Sequence, residues 1–506
     1  MVWLAAAVGL IASVAMEQLV RPRPLLSRAW AAWALHGGVW LLAFSAFTLV
    51  LGRPWFAAAG VLALLLILVL VNNAKLRALR EPFVFQDYEY FTDALRHPRL
   101  YIPFLGWGRF LVAVAGGAAA VSVGLWLEPA PADRWSIAGQ GGALLIVGLL
   151  GGVLVLAGSR ACLPVNFQPS EDLPRLGFVA YLWRYAQAQR EMPRAASPFD
   201  VPAREGKRGP LPHLVAVQSE SFFDPRPLFD GIRPEVLAAF DRIKSEALMY
   251  GRLEVPAWGA NTVRSEFAFL TGIDQEKLGV HRFNPYRAIA AGWNVSSLAS
   301  CLKREGYRTI CIHPYPSSFY QRDRVYPCLG FDEFLDIRAF AQTPRFGPYI
   351  ADVAVADKVA QLVQQAAEPL FVFVITMENH GPLHLERVTA GDVEALYSKP
   401  PPAGCDDLTI YLRHLRNADR MIEKLHHALE TCARPASLCW FGDHVPIMPA
   451  VYEALAVPDG AVEYVIWGNR HDGLPRHTNL KVHELAVAWL GEFAALCPLD
   501  WSAQGA

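Results

Sequence analysis

The stretch LFVFVITMENHGPLH, residues 370–384, begins with a run of mostly apolar residues and then changes abruptly to polar side chains. A short apolar run of this kind predicts a strand that is buried on both faces. Comparable runs are HLVAVQ (213–218), RTICIH (308–313), SLCWFG (437–442) and EYVIWG (463–468). Helical patterns lie between them, at 234–247, 264–270, 295–305, 350–367, 406–431 and 480–494. Buried strands that alternate with helices predict an α/β sandwich with a mostly parallel sheet over residues 211–506.

The residues before this region are far more apolar. Of the 506 residues, 53% are hydrophobic and only 18% are charged, whereas an ordinary soluble domain has about 25% charged residues. Five stretches approach the roughly 20 residues that a membrane-spanning helix needs. They lie at 2–20, 29–51, 54–72, 103–127 and 137–159. We therefore predict a five-helix transmembrane domain at 1–160, a juxtamembrane helix and linker at 161–210, and a further domain at 211–506.

Charge excludes one class of partner and predicts an orientation. The net charge of -1 gives no support to nucleic acid as a partner. Basic residues are concentrated between 74 and 102, so the positive-inside rule places that loop, and the domain at 211–506, in the cytoplasm. Acidic residues in the same loop weaken this prediction. All eight cysteines follow residue 160, which is compatible with either disulfides or buried free thiols.

Carboxylates and imidazoles follow three of the predicted strands. Glu220 follows the first strand, Glu378 and His380 follow LFVFVIT, and Asp443 and His444 follow SLCWFG. Ligands of open α/β sheets bind at the carboxyl ends of the strands. Because Glu, Asp and His are the usual protein ligands of Mn²⁺, Mg²⁺ and Zn²⁺, these positions predict a metal site.

A hydroxyl lies directly before a predicted short helix in VPAWGANTVRSEFAFLTG, residues 255–272. The free backbone N–H groups at the start of a helix suit a phosphate, which makes Thr262 a candidate for phosphate chemistry. Taken alone, Thr262 is better explained as an ordinary helix N-cap. A catalytic role for it depends on the other motifs.

The motifs Q-S-E-S-F, N-T-V-R-S-E-F-x-F-L-T-G, N-H-G-P and F-G-D-H occur in this order between residues 211 and 470. Together with the five-span anchor, they resemble lipoteichoic acid synthase and related phosphoglycerol transferases of the sulfatase and alkaline phosphatase superfamily. The resemblance implies that the domain at 211–506 is a sulfatase-like catalytic domain with Thr262 as its nucleophile. It also implies one divalent metal ion, Mn²⁺ with Mg²⁺ or Zn²⁺ as alternatives, held by Glu220, Thr262, Asp443 and His444.

The same resemblance implies the residues that bind the substrate. The family segment H-x(6)-W-N-R corresponds to HPYPSSFYQR, which aligns His313, Tyr320 and Arg322, and the N-H-x-P motif aligns His380. Tyr320 replaces the family's tryptophan and Gln321 its asparagine, so these residues do not identify the head group of the donor.

The activity that the resemblance implies is the transfer of a phosphoglycerol-type head group through a covalent phospho-threonine. The donor would be a membrane phospholipid, phosphatidylglycerol, and the acceptor a cell-envelope glycan or glycolipid. The catalytic domain would then lie on the extracytoplasmic face of the inner membrane, within reach of the lipid bilayer. This orientation is the opposite of the one that the basic residues predict.

Several alternatives stay open at this point. A phosphoethanolamine transferase shares the five spans and a threonine nucleophile. That group is expected to have cysteines beside the nucleophile, and none lies near Thr262 in this sequence. A phosphodiesterase would release its product to water. A formylglycine sulfatase needs C/S-x-P-x-R, and CLPVN at 162–166 lacks the arginine. An inactive glycan-binding scaffold is the non-enzymatic alternative, and the complete set of predicted metal ligands argues against it.

Overall fold

The computed structural model describes residues 1–88, 107–128, 140–202, 211–471 and 473–493. These residues form two compact units, Met1–Glu191 and Met192–Ala506. Some predictions lie partly or wholly outside the described residues: the loop 74–102, the first residues of the spans 103–127 and 137–159, the linker 203–210 and Cys497. The other seven cysteines are free thiols.

The first unit is an α-helical, multi-pass membrane anchor. Its long helices are α1 (Val2–Glu17), α2 (Trp30–Leu51), α3 (Pro54–Leu79), α4 (Trp107–Leu127) and α5 (Gln140–Arg160). By length and composition, α2, α3 and α5 are able to cross a membrane. Shorter apolar helices lie at Val2–Glu17 and Ala115–Leu127, so the number of five spans stays a prediction. Two further helices, α6 (Pro169–Leu176) and α7 (Phe178–Ala188), follow the last long helix.

Glycines allow α2 and α5 to pack closely. A Cβ atom added at Gly38 would lie 2.8 Å from the backbone oxygen of Gly151, and one at Gly158 would lie 2.8 Å from that of Ala31. Small residues of this kind permit close contact between helices in membranes, where packing drives association. The pairing also makes the two helices antiparallel, so the start of α2 lies beside the end of α5.

The second unit is built on a nine-stranded sheet with the order β10-β2-β9-β8-β1-β7-β3-β4, in which β11 also pairs with β2. β9 runs antiparallel to β2 and β8, and the other neighbours are parallel. The strands are β1 (His213–Ser219), β2 (Met249–Glu254), β3 (Arg308–Ile312), β4 (Glu333–Leu335), β7 (Leu370–Ile375), β8 (Ala436–Gly442), β9 (Val462–Gly468), β10 (Arg476–His477) and β11 (Leu480–Lys481). A separate hairpin consists of β5 (Arg345–Phe346) and β6 (Tyr349–Ile350).

The predicted fold class, the mostly parallel sheet and the five predicted strands are confirmed. Every residue of β1, β7 and β8 is buried, which explains why these strands appear in the sequence as unbroken apolar runs. The strands β2, β4, β10 and β11 were not predicted. They lie toward the edges of the sheet, and their partly exposed residues produce no such run.

Helices cover this sheet at all six positions where the sequence predicts them, and four further short helices, at 285–290, 322–328, 390–396 and 449–454, were not predicted. They are α8 (Ala238–Ser245), α9 (Val263–Thr271), α10 (Pro285–Ala290), α11 (Leu298–Arg304), α12 (Arg322–Cys328), α13 (Asp352–Gln365), α14 (Ala390–Leu396), α15 (Asp406–Glu430), α16 (Pro449–Ala454) and α17 (Val482–Gly491). At the centre of the sheet, β1 pairs in parallel with both β7 and β8. The residues that follow these three strands therefore emerge at one edge of the sheet.

Candidate active site

Three predicted metal ligands meet at this edge. Glu220, Asp443 and His444 each offer one ligand atom, and these atoms lie within 4.8 Å of one another. The residues are 3%, 0% and 1% exposed, respectively. Because β1 and β8 pair from His213–Ala436 to Ser219–Gly442, the first residue after each strand reaches the same place.

The orientation of His444 is consistent with a cation at this position. Its Nδ1 lies 3.1 Å from the carbonyl oxygen of Val445 and donates a hydrogen bond to it. In the neutral ring, the lone pair therefore belongs to Nε2, which lies 3.7 Å from Glu220 Oε1 and 3.5 Å from Asp443 Oδ2. Asp443 Oδ2 is buried and has no hydrogen-bond partner among the residues that the structure describes. A lone pair and two buried carboxylates that face one another repel one another unless a cation lies between them.

The pKa of Glu220 also indicates a cation at this position. Burial and the neighbouring Asp443 carboxylate together raise the pKa of Glu220 to about 8, while His444 and Ser221 oppose the shift. Its backbone is held in place, since the Glu220 amide donates to Thr376 Oγ1 at 3.0 Å. A divalent ion would reverse this shift, because it stabilises the ionised carboxylate. The donor set therefore fits a divalent metal.

Thr262 lies at the N-terminal end of α9 and is 8% exposed. The loop before it has an unusual backbone, because Asn261 has a φ of 67°, a left-handed conformation that is uncommon outside glycine. Ser265, three residues after Thr262 in the same helix, contacts the metal-ligand cluster, since its Oγ donates to the Asp443 carbonyl at 2.7 Å. This hydrogen bond links the helix that carries Thr262 to the loop that carries Asp443 and His444.

Arg322 and His313 lie in one buried network. The Arg322 Nε and Nη2 atoms donate to the Glu266 carboxylate at 3.1 and 2.8 Å, and Nη1 lies 3.2 Å from His313 Nε2. Glu266 also accepts hydrogen bonds from the hydroxyls of Tyr286, at 2.5 Å, and of Tyr326. Burial, reinforced by the Arg322 charge, lowers the pKa of His313 well below its usual range. The neutral ring donates from Nδ1 to the Ile375 carbonyl and accepts from Arg322 at Nε2.

Tyr320 lies beside this network. The guanidinium carbon of Arg322 lies 5.2 Å from the centre of the Tyr320 ring, a cation–π contact. Tyr320 and Gln321 both have positive φ, at 55° and 57°. Of the aligned substrate residues, Arg322 is thus a buried partner of Glu266, and His313 and Tyr320 both contact Arg322.

His380 lies at the end of the segment that follows β7. Its Nδ1 lies 2.7 Å from the Gly381 carbonyl, to which it donates, and 3.2 Å from the Tyr349 hydroxyl. Burial lowers the pKa of His380, while the Gly381 hydrogen bond and the Asp443 charge oppose the shift. At neutral pH the ring is therefore uncharged, with its proton on Nδ1, and Nε2 is left able to accept a proton.

Three residues that shape this site were missed by sequence reasoning. Glu266 and Ser265 belong to the quoted motif T-V-R-S-E-F, so a signal for both was present, but their partners lie far away in the chain. Tyr349 carries no local signal, because it belongs to a two-residue strand with an ordinary sequence around it. These residues hold others in position and show their roles only in three dimensions.

Comparison with known proteins adds a family match and several relatives. The family profile named sulfatase matches residues 212–491. The capsular polysaccharide biosynthesis protein RkpI of Rhizobium meliloti is 28% identical over 449 residues, which cover 84% of this chain and 79% of that protein. Lipoteichoic acid synthase 1 of Bacillus subtilis is 22% identical over 149 residues, or 28% of this chain and 22% of that protein.

One solved structure has a similar fold over nearly the whole chain. The integral membrane protein lipooligosaccharide phosphoethanolamine transferase A of Neisseria meningitidis aligns with a TM-score of 0.58 and 14% sequence identity. The alignment covers 97% of this chain and 95% of that chain. The likeness concerns the fold, an apolar helical anchor followed by an α/β domain.

Proposed function

Because this chain belongs to the sulfatase family, within the alkaline phosphatase superfamily that its motifs predicted, we propose that it is a membrane-anchored, metal-dependent phosphoglycerol-type transferase. The proposal is that it moves the head group of a membrane phospholipid to a cell-envelope glycan through a phospho-Thr262 intermediate. The convergence of Glu220, Asp443 and His444 is the observation that carries it, since this buried cluster lies next to the helix that begins after Thr262.

In the proposed site, Glu220, Asp443 and His444 hold one divalent ion and the Thr262 hydroxyl completes the set. When bound, such an ion supplies positive charge that lowers the pKa of a hydroxyl and stabilises charge on phosphoryl oxygens. Mn²⁺ is the proposed ion, and Mg²⁺ and Zn²⁺ have compatible ligand preferences. The hydrogen bond from Ser265 to Asp443 keeps the nucleophile's helix in register with the ligands.

The first half of the proposed reaction forms the covalent intermediate. The Thr262 oxygen, after loss of its proton, attacks the phosphorus of the donor lipid in line with the bond to diacylglycerol. A bond forms between Thr262 Oγ and phosphorus, the bond to the diacylglycerol oxygen breaks, and diacylglycerol leaves after it takes up a proton. Backbone N–H groups at the start of α9 are suited to contact the phosphoryl oxygens.

The second half returns Thr262 to its starting state. A hydroxyl of the acceptor attacks phosphorus, the bond to Thr262 Oγ breaks, and this oxygen takes up a proton to restore the hydroxyl. His380 is the proposed proton acceptor for that hydroxyl, since its Nδ1 proton is engaged by Gly381 and its Nε2 is free of a proton. Tyr349, whose hydroxyl lies 3.2 Å from Nδ1, would keep the ring in this orientation.

The head group and the acceptor are the finer parts of the proposal. Phosphatidylglycerol is the proposed donor because the motifs resemble phosphoglycerol transferases, with Tyr320 and Arg322 beside the bound head group. A polysaccharide or glycolipid is the proposed acceptor, in keeping with the name of the relative from Rhizobium meliloti. With a cell-envelope acceptor, the proposal puts the catalytic reaction on the extracytoplasmic face of the inner membrane.

A mass-spectrometric experiment tests the proposal directly. The purified full-length protein is incubated with Mn²⁺ and phosphatidylglycerol or phosphatidylethanolamine, and peptides containing Thr262 are examined for added mass. A glycerophosphoryl adduct is expected, and an ethanolamine-phosphoryl adduct would identify the alternative transferase. Thr262→Ala should abolish the adduct, whereas Thr271→Ala, which removes a buried hydroxyl from the other end of α9, should keep it. If neither lipid gives an adduct on a protein that binds Mn²⁺, the proposed function is wrong.

A further inference from the structure

The membrane anchor contains a cavity of about 540 Å³. Apolar side chains of α2, α3 and α7 form most of its wall, among them Trp40, Leu65 and Leu182. Leu64 is 49% exposed and Arg190 is also exposed, and both border the cavity, which is thus open on one side. Protein interiors leave few voids larger than a water molecule, so a space of this size calls for an occupant.

Two polar side chains deep in the wall, Ser13 and His36, are engaged within the protein. Ser13 Oγ donates to the Leu10 carbonyl at 2.8 Å and lies 2.9 Å from His36 Nε2. The other ring nitrogen of His36 lies 3.4 Å from Glu17, which is paired with Arg28 at 2.6 Å. Water is retained in cavities that offer it several polar partners, and apolar cavities stay dry. The chemistry of this wall therefore favours hydrocarbon over water.

The cavity extends through most of the depth of one leaflet. It borders α2 from His36 to Ala43 and α3 from Val61 to Leu68, a span of about 10 Å along each helix at roughly 1.5 Å per residue. Half of the bilayer's hydrocarbon core is about 15 Å thick. Since the start of α2 lies beside the end of α5, the cavity extends from that end of the helices toward the middle of the membrane.

We propose that this cavity binds one acyl chain of a membrane phospholipid, with the phosphate of that lipid beside Arg190. The lipid comes from the leaflet at which α5 ends. A guanidinium is well suited to a phosphate, because its planar donors match the phosphate oxygens. The inference rests on the proposed function and deepens it, since it assigns the anchor a role in holding the diacyl donor lipid.

Photolabelling of the full-length protein in lipid vesicles tests this inference without turnover. The probe is phosphatidylglycerol with a diazirine in the middle of one acyl chain, and mass spectrometry locates the labelled residues. Label is expected on the cavity wall, at Ala43, Leu65 or Leu68. Ala43→Trp should fill the cavity and remove this label, whereas Leu70→Trp, which adds the same ring on the exposed outer side of α3, should leave it unchanged.

A second variant guards against misfolding of the first. Arg190→Glu alters an exposed side chain, so the fold should persist while the label in the cavity decreases. Wall labelling that is unchanged in both Ala43→Trp and Arg190→Glu would overturn the inference. So would labelling of the outer helix faces alone, or crosslinks to a second copy of the chain through the cavity.

The two proposals fail in distinguishable ways. A water-soluble p-nitrophenyl phosphodiester has no acyl chain, so Ala43→Trp should still form the Thr262 adduct from it while losing the adduct from phosphatidylglycerol. If the wild-type protein forms no adduct with either donor, the proposed function is wrong, and the photolabelling result still tests the acyl-chain site. Equal loss of adduct with both donors in Ala43→Trp alone would refute the acyl-chain site.

Discussion

The buried ion pair between Glu266 and Arg322 gives the sharpest prediction, for the variant Glu266→Gln. The two side chains are 0% and 1% exposed and lie 2.8 Å apart. The substitution removes the negative charge that compensates Arg322. The NH₂ group of the new amide also points at hydrogen-bond donors, whose bonds the carboxylate oxygens had accepted. Removing one partner of a buried pair costs about 3–5 kcal/mol, because the remaining charge stays buried without compensation.

This loss converts to a measurable change in melting temperature. At about 2 °C per kcal/mol for a unit of this size, Glu266→Gln should lower Tm by roughly 6–10 °C. The assay is thermal unfolding of the full-length protein in detergent, followed by differential scanning fluorimetry. Replacing both partners, in Glu266→Gln with Arg322→Met, removes the uncompensated charge and should recover part of the stability.

The chain offers a matched control on its surface. Arg252 donates two hydrogen bonds to Asp459, at 2.7 and 2.6 Å, with the same paired geometry. Those side chains are 46% and 61% exposed, so Asp459→Asn should cost less than about 1 kcal/mol. If Glu266→Gln lowers Tm by less than about 2 °C, which corresponds to about 1 kcal/mol, it behaves like the control and the reasoning from burial is wrong.

Three other predictions follow from the site and the anchor. Chelation of divalent metal should lower Tm, and saturating Mn²⁺ should restore about 3 kcal/mol at a hundredfold excess over Kd; Glu220→Gln should erase this response, and an equal response in that variant would contradict the metal site. Burial alone would lower the pKa of His414, but hydrogen bonds to Glu378 and Glu386 raise it to about 9. A raised pKa in the folded state stabilises the protein fully below the unfolded pKa of about 6.5, and this stabilisation of about 3 kcal/mol should disappear as pH rises toward 9. The Tm difference between wild type and His414→Gln should therefore shrink over this range. A constant difference would disprove the role of His414. Gly38→Leu should reduce the yield of folded protein in membranes, because its side chain meets α5. Gly152→Leu should not, because none of the described residues lies within 4 Å of a Cβ atom at that position. Equal yields would argue against close α2–α5 packing.

The strand-end residues show how far local sequence reaches. β1, β7 and β8 are buried on both faces, so their sequences are continuous apolar runs, and the polar residues within a few positions after each run are candidates for the site. The parallel sheet then follows from helices between strands. This reasoning made Glu220, Asp443 and His444 candidate ligands from the sequence, and the structure brings them together, although the partly exposed edge strands gave no comparable signal.

The amino-acid sequence by itself determined the apolar anchor, the central strands and the candidate ligands, because these depend on periodicity and on residue type along short segments. Only the tertiary structure decided that Glu266 pairs with Arg322, fifty-six positions away, and that Tyr349 contacts His380. It also decided that β9 runs antiparallel and that α2, α3 and α7 enclose a cavity. The physical reason is that hydrogen bonds, ion pairs and cavities depend on distances in space, and residues far apart in the chain approach one another only when the whole core packs.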